Sequence, residues 1–241
     1  MKTALITGGT KGIGKAIALK FLQRGYEVIL NYFCDFDCAQ STQKEFNDLG
    51  FNPVLVCADV SDEQSVKNMF DEVLSRYGKI DVLVNNAGVS LVKQIQDTSL
   101  EDFEKLIGVN VRGVYLCCRE AVGGMIANEG GCIINIASIW GEVGASCESV
   151  YSASKGAVIA FTKALAKELA PSLVRVNCVS PGVINTQMNS HLSDEEMQDL
   201  IEQIPLGRLG TGEDVAKACL YLAESEYVTG EVLSVGGGFA K

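Results

Sequence analysis

The chain has a single histidine, His191, among its 241 residues. One imidazole cannot build a histidine-based metal centre or a Ser-His-Asp triad, so any chemistry here uses other groups. Cysteine is present nine times but never in a CxxC spacing. Neither a disulfide framework nor a zinc site is supported, and Cys57, Cys132, Cys178 and Cys219 read as small buried hydrophobes in a reducing compartment. No run of eighteen apolar residues occurs, and "MKTALITGG" reaches a glycine pair after only a few apolar residues, unlike an export signal. A soluble cytoplasmic protein is expected. Positive charge is also short: the net charge is −10, which argues against nucleic acid as a main partner and gives some ground to doubt docking to a very acidic one.

A hydrophobic share of 47% against 21% charged is globular, and no linker, repeat or low-complexity tract interrupts residues 1–241, so one domain is expected. Apolar runs "TALIT", "EVILNY", "PVLVCAD", "IDVLVNNA", "CIINIAS", "VRVNCVSP" and "EVLSVGG" alternate with amphipathic stretches. That alternation predicts a doubly wound parallel sheet of about seven strands, an α/β Rossmann-type fold with helices on both faces. Gly25 and Gly50 stand where helices should stop, and Ser61–Gln64 and Ser193–Glu196 have capping-box spacing.

After the first strand comes "TGGTKGIG", Thr7 to Gly14, then a helical stretch. Gly8, Gly12 and Gly14 let a pyrophosphate approach backbone N–H groups at a positive helix terminus, which predicts a dinucleotide site, although a tight strand-to-helix turn would look alike. Asp59 and Val60 end the third strand where an adenine would lie; Asp59 reads equally as a cap for the next helix. "NNAG", Asn85 to Gly88, ends the fourth at the sheet edge where such folds bind ligands. The second strand ends in Asn31 and Tyr32 rather than an acid, and Lys11 sits in the glycine loop, which favours NADP(H) over NAD(H); nearby Asp35 pulls the other way.

"YSASK" places Tyr151 and Lys155 on one side of a helix, where an ammonium favours the phenolate and brings a phenol toward useful acid–base strength. A packed tyrosine beside a snorkelling lysine is the structural alternative. Ser138, at the end of the fifth strand, offers a hydroxyl to a carbonyl oxygen.

With "TGGTKGIG", Asp59-Val60, "NNAG", "VN" at Asn110, Ser138, "YSASK" and "PGVINT", the chain resembles the short-chain dehydrogenase/reductase family over essentially its whole length. The resemblance implies a catalytic set in which Tyr151 donates a proton, Ser138 holds the carbonyl, Lys155 lowers the tyrosine pKa and binds the nicotinamide ribose, and Asn110 anchors a relay water. For Asn110 alone, an interior amide satisfying backbone is the plainer reading. The cofactor set it implies is Gly8, Thr10, Lys11, Gly12, Ile13, Gly14, Asn31, Tyr32, Asp59, Val60, Asn86, Ala87, Gly88, Tyr151, Lys155, Pro181, Gly182, Ile184 and Thr186. It further implies a homotetramer.

The last third is similar to 3-oxoacyl-(acyl carrier protein) reductases of fatty acid biosynthesis. Yet Ala121–Gly131 holds no lysine or arginine to receive an acidic carrier, leaving Arg112, Arg119 and Lys167 as candidates. Trp140, Cys147 and Glu148, between the serine and the tyrosine, resemble reductases of the 5-aminopentanone group on elongation factor P, whose amine would suit Glu142 or Glu148; solvated acids and a packed cysteine are the alternative. A non-catalytic dinucleotide sensor or structural subunit is a third reading, weakened by the complete catalytic set. Residues 187–204, with Leu192, Met197, Leu200, Ile201 and Ile204 at helical spacing, read as a lid or as a surface helix pair.

Overall fold

The protein is described by a computed structural model covering residues 1–186 and 193–239. Its strands are β1 (Thr3–Ile6), β2 (Glu27–Tyr32), β3 (Val54–Cys57), β4 (Val82–Asn85), β5 (Gly131–Ile136), β6 (Val174–Pro181) and β7 (Val232–Val235). The helices are α1 (Gly12–Gln23), α2 (Phe36–Asp48), α3 (Glu63–Tyr77), α4 (Leu100–Ile107), α5 (Gly113–Ala127), α6 (Trp140–Val143), α7 (Ser149–Leu169), α8 (Asp194–Glu202) and α9 (Gly212–Glu224). Every strand pairing is parallel, in the order β3-β2-β1-β4-β5-β6-β7.

The strands are apolar because both faces are covered. Leu5, Ile29, Leu83 and Ile133 pack on one face with Met69, Phe70, Met125 and Val158 from α3, α5 and α7. Ala4, Ile6, Leu30 and Val84 pack on the other with Ile17, Phe21, Phe46 and Cys219 from α1, α2 and α9. Each fully buried large side chain contributes about 1.5–3 kcal/mol, so the two layers dominate stability. The order in which strands are added reverses between β1 and β4, opening a crevice above their carboxyl ends.

Helix ends follow local chemistry. Gly25 (φ 88°) and Gly50 (φ 86°) take left-handed backbone just past α1 and α2. Ser193 and Glu196 form the expected capping box on α8. The Ser61–Gln64 spacing does not: Asp62 caps α3 through the Ser65 N–H, while Ser61 donates its N–H and hydroxyl to Asp59. Asp62 takes the cap because Asp59 already engages Ser61.

All nine cysteines are free thiols. Cys132, Cys178 and Cys219 are buried, but Cys57 is exposed because β3 is an edge strand. Cys147, also exposed, lies in left-handed backbone with φ 61° rather than packed. No helix among the described residues is long and apolar enough to cross a membrane. Leu192 and His191 lie outside the described residues, and in the lid candidate the described part forms the single helix α8.

Candidate active site

A cleft of about 710 Å³ occupies the crevice. Gly8, Lys11, Gly12, Ile13 and Gly14 line one end, Asn86 to Gly88 the floor, Ser138, Tyr151 and Lys155 the inner wall, and Pro181, Gly182, Ile184 and Thr186 the far side. The glycine turn, Asn86 to Gly88, Ser138 and Gly182 follow strand carboxyl ends, while Tyr151 and Lys155 come from the first turns of α7.

The glycine turn is built by close approach. A Cβ on Gly14 would lie 2.2 Å from the Gly8 carbonyl oxygen and 2.5 Å from Asn86 Nδ2, so only glycine fits. Asn86 Nδ2 donates to the Thr7 and Gly8 carbonyls at 2.9 and 3.0 Å, and the Asn86 and Ala87 N–H groups donate to Thr7 Oγ1, each at 3.0 Å. Lys11, the residue before α1, makes no side-chain cap, which leaves first-turn N–H groups for an anion. A Cβ on Gly12 would have no neighbour nearer than 3.8 Å, so this wall is open. The residues present therefore fit the pyrophosphate of a dinucleotide.

Several expected cofactor residues lie elsewhere. Asn31 is buried and faces inward: Oδ1 accepts the Gly8 N–H at 3.3 Å and Nδ2 donates to the Ala58 carbonyl at 3.0 Å. It braces the glycine turn and does not line the cleft. Tyr32 packs against Phe36 at 6.2 Å between ring centroids, outside the cleft lining. Thr10 is buried, its carbonyl accepting the Thr42 hydroxyl at 2.7 Å. Asp59 is held in the turn before α3, and Val60 packs against Gly113; neither lines the cleft. Lys11 pairs with Asp35 at 3.3 Å, and Asp35 also caps α2 by accepting the Cys38 N–H.

At the inner wall, Ser138 Oγ accepts the Trp140 N–H at 3.2 Å, and its own proton is directed at the Tyr151 phenol oxygen. Burial pushes the Tyr151 phenol up to about 12; the Ser138 hydrogen bond opposes this and Glu148 adds to it. Burial pulls the Lys155 ammonium down to about 8, and its Nζ donates to the Ile136 carbonyl at 2.9 Å. Nζ stands 5.8 Å from the Tyr151 ring centroid. Burial sets the direction of both shifts.

Asn110 is fully buried in a π-helical turn, Gly108–Arg112, between α4 and α5. Its Oδ1 accepts the Val89 N–H, and Nδ2 donates to the Val89 carbonyl at 2.9 Å and to Ser154 Oγ at 3.1 Å. Its side chain satisfies backbone and lies outside the cleft lining. Ser154, whose hydroxyl donates to the Tyr151 carbonyl at 2.7 Å, ties this turn to the tyrosine's helix. Sequence reasoning overlooked Ser154, though it lies inside "YSASK". It also missed Val89, Ser90, Val92 and Val183 in the wall. Of the two candidate acids, Glu148 lines the cleft and Glu142 does not.

A family model described as Enoyl-(Acyl carrier protein) reductase matches residues 8–240. The chain belongs to the short-chain dehydrogenase/reductase family. It is an oxidoreductase of the C=O/CH–OH pair. The 3-oxoacyl-[acyl-carrier-protein] reductase FabG of Staphylococcus aureus strain Mu50 is 38% identical over 239 residues, covering 98% of this chain and 97% of that one. The oxidoreductase YmfI of Bacillus subtilis is 37% identical over 241 residues, covering 99% and 98%. A solved dehydrogenase structure from Agrobacterium tumefaciens superposes with a TM-score of 0.95 at 29% identity, covering 100% of this chain and 96% of its own.

Proposed function

We propose that this short-chain dehydrogenase/reductase is an NADPH-dependent carbonyl reductase acting on a 3-oxoacyl thioester. The observation that carries the reading is that Ser138 and Tyr151, hydrogen-bonded to each other through their side chains, line one wall of a cleft whose other end is the glycine turn. Two donors at one point suit a carbonyl oxygen, where negative charge develops. A nicotinamide dinucleotide would be held by Gly8, Gly12, Gly14, Asn86 to Gly88, Ile184 and Thr186 and would supply the hydride.

The chain's own groups do the rest. Ser138 donates its hydroxyl proton in a hydrogen bond to the substrate oxygen. Tyr151, kept protonated by burial, transfers its phenolic proton to that oxygen as the alcohol forms. Lys155 holds positive charge beneath the phenol at neutral pH and stabilises the phenolate left behind. Val89, Val92 and Leu200 give the cleft an apolar wall. Lys11 is the group that favours a 2′-phosphate. Tyr151→Phe is expected to lower NADPH oxidation with an acetoacetyl thioester by at least about 10³-fold while leaving NADPH binding within about twofold. Substantial residual turnover would remove Tyr151 from the acid role.

A second reading has its own observation. Glu148 places a carboxylate in the cleft wall, and two of the cations available to a carrier protein are engaged: Arg112 Nε donates to the Ser61 carbonyl at 2.9 Å and Arg119 pairs with Glu63 at 2.7 Å. An amino-ketone, as in the 5-aminopentanone group on elongation factor P, would complement Glu148. Glu148→Gln separates the two: KM for an amino-ketone rises about tenfold if the carboxylate binds an ammonium, whereas KM for an acetoacetyl thioester stays level.

A further inference from the structure

Trp140 and Phe239, nearly a hundred residues apart in sequence, meet edge to face, with ring centroids 5.6 Å apart and planes at 69°. Trp140 stands at two places in the site at once. Its side chain lines the cleft, and its backbone N–H holds the Ser138 hydroxyl oxygen at 3.2 Å.

Phe239 is presented by the glycine turn that follows β7. Its N–H donates to the Gly236 carbonyl at 3.0 Å, and Gly237 (φ 62°) and Gly238 (φ 88°) are both left-handed, which reverses the chain toward the cleft. The turn is wedged between two walls. A Cβ on Gly236 would lie 3.3 Å from Ile139 Cγ2, beside Ser138, and one on Gly237 would lie 2.8 Å from Ile204 Cγ2, just beyond α8. The Leu206 N–H closes that side by donating to the Gly237 carbonyl at 3.1 Å. Leu200 of α8 lines the cleft, so the same turn supports both the Ser138 wall and the α8 wall.

We propose that Trp140 is a specificity-determining residue, contacting the part of the substrate beyond its carbonyl, and that Phe239 is the positioning residue that fixes the indole there. The chemistry favoured is a carbonyl compound with a flat or extended apolar segment beside the reacting carbon, laid against the indole. This assignment rests on the carbonyl-reductase reading of the same cleft.

Trp140 is the only tryptophan in the chain, so its emission reports on this wall alone. The experiment compares wild type, Phe239→Leu and Phe239→Tyr with acetoacetyl-CoA and 5-aminopentan-2-one as probes. Phe239→Leu should shift Trp140 emission and raise its quenching by acrylamide. The same variant should raise KM about three- to tenfold for whichever probe is turned over, with kcat and the NADPH dissociation constant within about twofold. Phe239→Tyr keeps the ring and should restore both. Unchanged emission and quenching in Phe239→Leu would overturn the brace, and a fall in kcat and NADPH binding alongside KM would reduce it to general packing. A wild-type enzyme inert toward both ketones would overturn the carbonyl-reductase reading and Trp140's place in substrate recognition, while the emission arm would still decide the contact between the rings.

Discussion

The Lys155 ammonium lies 5.8 Å from the centre of the Tyr151 ring, yet its hydrogen bond runs to the Ile136 carbonyl at 2.9 Å. It is anchored to the sheet rather than to the phenol. Its pKa of about 8, lowered by burial, makes it the group on this wall that titrates nearest neutrality.

Carbonyl reduction is therefore expected to decline as pH rises through about 8, when the charge beneath Tyr151 is lost, while the phenol itself stays protonated far beyond that point. A kcat/KM profile in the reductive direction checks this; a flat profile to pH 10 would remove Lys155 from the charge balance of the reaction.

The same depressed pKa has a stability consequence. The folded chain binds this proton less tightly than the unfolded chain, whose lysine has the ordinary value of 10.5, so stability from this group rises with pH between about 8 and 10.5. Below 8 the full cost is present. Lys155→Met should accordingly unfold at higher urea than wild type at pH 7, by about 1–3 kcal/mol, with the gap closing toward pH 10. Chemical denaturation at the two pH values reads it directly.

Lys11 and Asp35 neutralise one another at 3.3 Å across the mouth of the glycine turn. A 2′-phosphate would have to replace the Asp35 carboxylate as the partner of Lys11. Asp35→Asn keeps the cap on α2, since asparagine caps as well as aspartate, and removes the competing charge. We expect NADPH affinity to rise several-fold and NADH affinity to hold or fall, the reverse for NADPH in Lys11→Ala, and both effects to shrink in high salt. Equal changes for the two dinucleotides would exclude this pair as the selector.

Gly14→Ala places a methyl 2.2 Å from a backbone carbonyl oxygen, a clash no rotamer relieves. Loss of about 2–4 kcal/mol of stability and of dinucleotide binding should follow together. Gly25→Ala makes the control: no atom lies within 4 Å of its added Cβ, so only the φ of 88° is penalised and binding should survive.

The seven strands were legible because burial on both faces leaves runs such as "CIINIAS" with no other reading. Long-range hydrogen bonds hid the rest. Asn31 reads as a ribose contact until β2 is placed beside β3, which turns its amide onto the Gly8 N–H and the Ala58 carbonyl. Asp59 was readable either way, and the choice fell to Ser61, which its carboxylate engages locally. The Tyr151–Lys155 spacing gave the shared face, but spacing carries no information on desolvation, and burial set both protonation equilibria. Phe239 had no local signal at all, because its partner Trp140 is supplied by a different layer of the fold.

The four hydrogen bonds that join Asn86 and Ala87 to Thr7 and Gly8 fasten two strand ends that no stretch of chain connects directly. A dinucleotide arriving at this edge meets a receptor whose shape was decided during folding. Its association should be governed by encounter and fit rather than by a slow rearrangement of the loop.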